Sequence, residues 1–231
     1  MQIIVFTAVE AERQAVLSGL SHASFASIAT FEVLLCGVGP VTAAVQSTRA
    51  LTERIGCGQK IDLILSAGIG GKFTCDEDNS IDSGEIWLAK RSIWADAGAE
   101  SRHGFLTLDA LGFGQNMYCT DAVILQSFQS ALNCRLGDVL TVSTATGTST
   151  TASKLKKRWP NATVEAMEGF GVAMVAQELG IPFLEVRSIS NRVGPRRRDE
   201  WKLQEAFAGL SEGFSRISKI DFGKLNAKER A

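Results

Sequence analysis

Apolar residues in this 231-residue chain fall into short β-type runs that alternate with stretches of near-helical spacing. Residues 2–7 read as a strand. Residues 8–20 read as a helix, because Val9, Ala15, Val16 and Leu20 recur on one face. Further β-type runs at 25–29 and 31–36 end at Gly37-Val38-Gly39-Pro40, and 41–55 read again as helix. A continuous apolar run at 61–66 predicts a strand covered on both faces, stopping at Ala67-Gly68-Ile69-Gly70-Gly71. Strands are then expected at 85–93, 139–143 and 183–189, and helices at 121–132, 153–158, 168–179 and 199–220. Gly180 and Pro182 close the helix at 168–179. The Gly-rich stretch 97–117 is longer than ordinary connections and marks a candidate functional loop.

This alternation predicts an α/β protein, a three-layer α/β/α sandwich with a central twisted, mostly parallel but mixed sheet. One domain over 1–223 is expected, with a polar C-terminal tail at 224–231. Ligands of such sheets gather where strands end, which directs attention to residues 8–13, 37–40, 67–72, 143–149 and 188–198.

Composition narrows the partners. Basic and acidic residues number 24 and 25, a net charge of -1, so the electrostatic footprint of a nucleic-acid binder is missing and a small ligand is expected. No apolar run approaches the roughly 18 residues that span a bilayer, and the start lacks the pattern of a signal peptide. A cytoplasmic location without membrane attachment is expected. Five cysteines, at 36, 57, 75, 119 and 134, are scattered, with only His22 and His103 beside them. Reduced thiols are the plain reading, and neither a metal nor a cofactor is expected.

Glu10 and Glu12 stand in a first helical turn, where helix-end electrostatics alone accounts for acidic residues. The glycines at 68, 70 and 71 match neither a P-loop nor a dinucleotide fingerprint; they permit a close backbone approach to a ligand or simply a tight turn. More specific is the order of elements: Glu12 after the first strand, the Gly segment after 66, Glu165-Ala166-Met167-Glu168-Gly169, and Arg187-Ser188-Ile189-Ser190-Asn191. In that order the chain resembles, over nearly its whole length, the methylthioadenosine/S-adenosylhomocysteine nucleosidases of the nucleoside phosphorylase superfamily. Three further pieces resemble the futalosine hydrolases within it. They are Gly37-Val38-Gly39-Pro40, the residues from Ala95 to Gly114, and Ser190-Asn191-Arg192-Val193-Gly194-Pro195-Arg196.

The resemblance implies hydrolysis of an N-glycosidic bond, with Glu12 orienting and deprotonating water, Met167 and Glu168 holding the ribose, and Asn191 contacting the purine. The chemistry agrees, because a carboxylate near the sugar opposes the positive charge of an oxocarbenium-like transition state. Nucleosidases of adenine substrates carry Asp where this chain has Asn191. An amide NH₂ donates to the N7 and O6 acceptors of a 6-oxopurine, so the expected leaving base is hypoxanthine, from futalosine in menaquinone biosynthesis. Substrate contacts are also expected from Ile69 and Gly70 and from Thr146, Gly147 and Thr148. Arg196 or Arg198 is the candidate for the substrate's remote benzoate carboxylate, and Arg197 stands where the family pattern has an acidic residue. Gly147 lies near a position where related nucleosidases have Phe, so no residue is assigned to stack on the purine; Phe170 reads as core.

Relatives form dimers, so a homodimer or higher homo-oligomer is expected, with the 104–118 region as a candidate interface. The alternatives weighed are a nucleosidase releasing adenine from methylthioadenosine, S-adenosylhomocysteine or aminodeoxyfutalosine, a phosphorylase, and a non-catalytic purine-nucleoside binding protein. Ile69 in place of a hydroxyl and the charges of Glu10 and Glu12 argue against phosphorolysis, while Arg13 argues for it.

Overall fold

The computed structural model describes residues 1–21, 29–74 and 82–223. His22, most of the run at 25–29, Cys75 and the tail at 224–231 lie outside the described residues. The first apolar run forms β1 (Gln2–Thr7), followed by α1 (Glu10–Leu20). β2 (Thr30–Leu35) leads through Gly37 and Gly39, both at positive φ, into α2 (Pro40–Gly56). The turn therefore needs its glycines, and Pro40 brings a φ already suited to a first helical turn.

β3 (Leu63–Lys72) departs most from expectation, because it runs straight through the glycines that were expected to form a loop. A Cβ on Gly70 would meet Val164 Cγ1 at 2.7 Å, and one on Gly71 would meet Val193 Cγ2 at 2.8 Å. These glycines are small because neighbouring chain crosses the strand closely.

β4 (Ile86–Trp94) follows. Residues 97–117 hold more structure than a loop: the hairpin β5 (Gly98–Ser101) and β6 (Gly104–Thr107), one turn of helix α3 (Leu108–Leu111), and the start of β7 (Met117–Cys119). α4 (Ala122–Leu132) is capped by the Asp121 carboxylate, and β8 (Arg135–Thr141) leads to α5 (Ser149–Arg158), capped by Thr148. β9 (Ala162–Ala166), α6 (Gly169–Glu178) and β10 (Phe183–Arg192) follow. A 3-10 turn, Arg198–Glu200, precedes α7 (Leu203–Ile217), so the last helix begins later than its sequence pattern suggests. β9 was not anticipated, because Thr163 and Glu165 interrupt its short apolar pattern.

The sheet is mixed and mostly parallel. β1 pairs parallel with β2 and β3, β3 with β10, and β8 with β4 and β9. β10–β4, β3–β9 and β4–β7 are antiparallel. Since β3 pairs with both β10 and β9, the path β3–β10–β4–β8–β9 closes on itself and curls one side of the sheet. The expected helical layers are present. Ile3 and Val5 point to one face, packed with α1, α4 and α7, while Ile4 and Phe6 point to the other, packed with α2 and α6. That alternation places the ends of β1, β3 and β10 side by side between two apolar layers.

Candidate active site

Glu12 occupies the third position of α1 and folds back over the helix start. Its Oε2 accepts the Ala8 and Val9 backbone N–H groups at 2.9 and 3.3 Å, and its Oε1 accepts the Ile69 N–H at 2.9 Å. The carboxylate thereby satisfies helix-end donors and reaches across to β3. It is 3% exposed, and burial pushes its pKa up against the opposing pull of Arg187. Glu10, two residues earlier, is exposed, bonds to Arg13 and Gln14, and has its pKa lowered by those bonds.

Glu168 sits where β9 gives way to α6. Its Oε1 accepts the Gly39 N–H at 3.2 Å, and its Oε2 lies 3.5 Å from Arg187 Nη1. Arg187 pairs with Glu168 and acts on Glu12 through its charge. An added Cβ on Gly68 would lie 2.5 Å from Glu12 Oε1 and 2.6 Å from Arg187 Nη1, so both groups converge over one bare Cα. The guanidinium is 1% exposed, and it donates to Glu185 Oε1 at 2.9 Å, Ser66 Oγ at 3.2 Å and the Ile69 carbonyl at 3.5 Å. Cys36 lies within the same field; burial, with Glu168 adding to it, pushes its thiol up to about 12 and keeps it protonated. The sequence reading gave Arg187 no role. The available signal was an arginine two residues from Glu185, both set among Phe183, Leu184, Val186 and Ile189 in a β-type run.

Asn191 lies four residues beyond Arg187 on β10, past a register shift, opposite Gly71. Its Oδ1 accepts Ser190 Oγ at 2.8 Å, and its Nδ2 donates to the Arg192 carbonyl at 2.8 Å. It helps to wall a cavity of about 630 Å³ with Phe73, Arg192, Arg197 and Trp201. Glu12 and Glu168 are not among that cavity's walls. The three expected residues thus form a neighbouring pair, Glu12 and Glu168 around Arg187, and a third member further along the strand that carries the arginine.

Ile69 contributes backbone: its N–H binds Glu12 and its carbonyl accepts from Arg187, while Gly70 packs against β9. Met167 is half-buried against the apolar cluster that includes Ile93, Leu140 and Val142. Thr146 is buried, with its N–H and hydroxyl both donating to the Glu165 carboxylate, and Thr148 Oγ1 accepts the Thr151 N–H at 3.1 Å. These two threonines anchor the loop and cap α5. The Gly147 carbonyl accepts the Arg196 N–H at 3.2 Å, which ties this loop to the one after β10.

Arg196 lies over the Trp201 ring, 5.3 Å from its centroid, and Arg198 is exposed in the 3-10 turn. Neither walls the cavity, whereas Arg192 and Arg197 do. Phe73 and Trp201 are cavity aromatics that the sequence reading missed, because each lies at the end of an element with no periodic pattern around it. Phe170 is core as expected, 2% exposed and packed 5.8 Å from Trp94.

Comparison with known proteins identifies the family. Residues 25–219 match the Phosphorylase superfamily. A futalosine hydrolase of Streptomyces coelicolor is 39% identical over 95% of this chain and 96% of its own, and that of Acidothermus cellulolyticus is 34% identical over 93% and 89%. The chain belongs to the Phosphorylase superfamily and, within it, to the futalosine hydrolase family of N-ribosyl hydrolases. Among solved structures, the futalosine hydrolase of Helicobacter pylori superposes with a TM-score of 0.76 at 16% identity, covering 95% of this chain and 98% of its own. The Neisseria meningitidis 5′-methylthioadenosine/S-adenosylhomocysteine nucleosidase, in complex with methylthio-immucillin-A, gives 0.75 at 15%, covering 94% and 98%. At such identities these two show the shared fold.

Proposed function

We propose that the protein cleaves the N-glycosidic bond of futalosine with water, releasing hypoxanthine and dehypoxanthine futalosine as a step of menaquinone biosynthesis. The buried Glu12–Arg187–Glu168 cluster over Gly68 carries this reading. Glu12 accepts the proton of the attacking water, whose oxygen joins the anomeric carbon. Glu168 binds the ribose hydroxyls and opposes the positive charge that the sugar develops, with Met167 beside it. The base leaves with the bonding pair and is protonated.

Asn191 donates to the leaving purine. The Ser190 hydroxyl occupies Asn191 Oδ1, while Nδ2 keeps a second N–H beyond the one given to Arg192. An amide presenting a donor suits the O6 and N7 acceptors of hypoxanthine. Loop residues Thr146 to Thr148 and the strand backbone at Ile69 and Gly70 flank the nucleoside. The benzoate carboxylate is recognised from the loop after β10. Arg196 and Arg198 are the arginines that the sequence singles out there, and Arg197, a wall of the cavity, joins them.

Water is favoured over phosphate as the nucleophile, because the Ile69 N–H that could bind an oxyanion is already taken by Glu12 and a second anion there would be repelled. The enzyme works in the cytoplasm as a homodimer or higher homo-oligomer on this reading. No described helix is long and apolar enough to cross a membrane, and Val38, Val41 and Val45 expose apolar surface beside the turn that meets Glu168.

The test is incubation with futalosine, aminodeoxyfutalosine and methylthioadenosine in phosphate-free buffer, with chromatography of the free base. Hypoxanthine should be released from futalosine faster than adenine from either other substrate. Preferential adenine release, or release that depends on added phosphate, overturns the proposal.

A further inference from the structure

The proposed chemistry uses Glu12, Glu168 and Arg187, and leaves one buried carboxyl group of the cluster without a task. Glu185 is fully buried on β10, two residues before Arg187 and on the same face. Its Oε1 accepts Arg187 Nε at 2.9 Å, and its Oε2 accepts Ser92 Oγ at 2.5 Å from β4. The carboxylate also lies against the start of α6, where a Cβ on Gly169 would approach its atoms to 2.1–2.2 Å. Gly169 directly follows Glu168, so Glu185 touches both the arginine that pairs with Glu168 and the backbone that carries Glu168.

Three carboxylates thus share one guanidinium in a water-poor interior. Such a group is costly to bury unless each charge is compensated, so its presence calls for a reason other than stability. We propose that Glu185 is a positioning residue. It holds Arg187 by Nε so that Nη1 reaches Glu168 and the Glu12 side, and its charge offsets part of the arginine's so that Glu12 stays basic enough to take a proton from water. The inference rests on the reading of Glu12 as general base.

The charged and titratable groups facing this centre, among the described residues, are Glu12 from α1, Glu168 ahead of α6, Glu185 and Arg187 from β10, and the Cys36 thiol after β2. β3 and β4 contribute only the hydroxyls of Ser66 and Ser92. Burial raises the pKa of both Glu12 and Glu185, and Arg187 opposes the rise in each. Neutralising Glu185 removes a negative charge and leaves Arg187 more attractive to Glu12. The ionised form of Glu12 is then favoured, its pKa falls, and the acid limb of kcat/KM moves to lower pH.

The experiment is a pH profile of kcat/KM for futalosine with the wild type and with Glu185→Gln, which keeps size and an acceptor for Arg187. The limb should fall by about one pH unit, and the plateau by roughly tenfold as a weaker base works the same bond. A purely structural role would lower the plateau with the limb in place, and that result overturns the proposal. Ser92→Ala serves if Glu185→Gln does not fold. It withdraws the hydroxyl that helps to keep Glu185 ionised, and should move the limb the same way by less; an unmoved limb again overturns the proposal. Glu12→Gln separates the two inferences. Full turnover in Glu12→Gln defeats the general-base reading itself, whereas a dead Glu12→Gln with an unmoved Glu185→Gln limb defeats only the role of Glu185.

Discussion

Arg187 and Arg197 stand ten residues apart, one inside β10 and the other in the loop after it, and they use charge in opposite ways. The Arg187 side chain is 1% exposed and answers three carboxylates and two neutral acceptors. Arg197 is 66% exposed and pairs with Glu200 three residues on, a contact that water and salt screen. Charge in the strand comes at a desolvation cost and is held in one geometry. In the loop it is cheap and can be rearranged. Reaction chemistry demands the first kind, and recognition of a remote carboxylate can use the second.

Glu12→Gln should break the buried side of this contrast most severely, lowering turnover by about 10²–10⁴-fold while equilibrium dialysis still detects ligand. Gly68→Ala comes next, since its Cβ would press on Glu12 and Arg187 at 2.5 and 2.6 Å. It should cost about 1–3 kcal/mol in denaturant melts and more than tenfold in turnover. Gly147→Ala is its control: a Cβ there meets nothing within 4 Å, so stability should hold.

The pH dependence sharpens the same point. A general base works only when ionised, and Glu12's pKa is raised, so the acid limb of kcat/KM should lie above the ordinary glutamate value of 4.5. A limb at or below that value would show the carboxylate to be better solvated than its surroundings allow. On the loop side, replacing Arg196, Arg197 or Arg198 by Met should raise KM about tenfold for the carboxylated substrate at one or two of these positions, with kcat unchanged. Unaltered kinetics in all three would remove the loop from recognition. Smallest of all, Glu200→Gln should leave melting temperature and turnover at wild-type values, because its ion pair stands in water.

The chain by itself determined the elements whose local signals agree with their packing. β1, α1, α2 and α6 follow their apolar periodicity, and Gly37, Gly39 and Pro40 announce the turn that places a backbone N–H on Glu168. The position of Glu12 after a strand and that of Glu168 at the start of a helix were legible for the same reason. Tertiary structure alone decided that residues 67–72 are strand, that β9 pairs beside β3, and that Phe73 and Trp201 meet at one cavity. It also decided that Arg187 and Glu185 are partners of the glutamates. A short-range pattern records which residues prefer water and which do not. Whether a glycine marks a turn or admits a crossing strand, and whether a charge meets solvent or another charge, depends on chain that arrives from far along the sequence, as β9 does to reach β3.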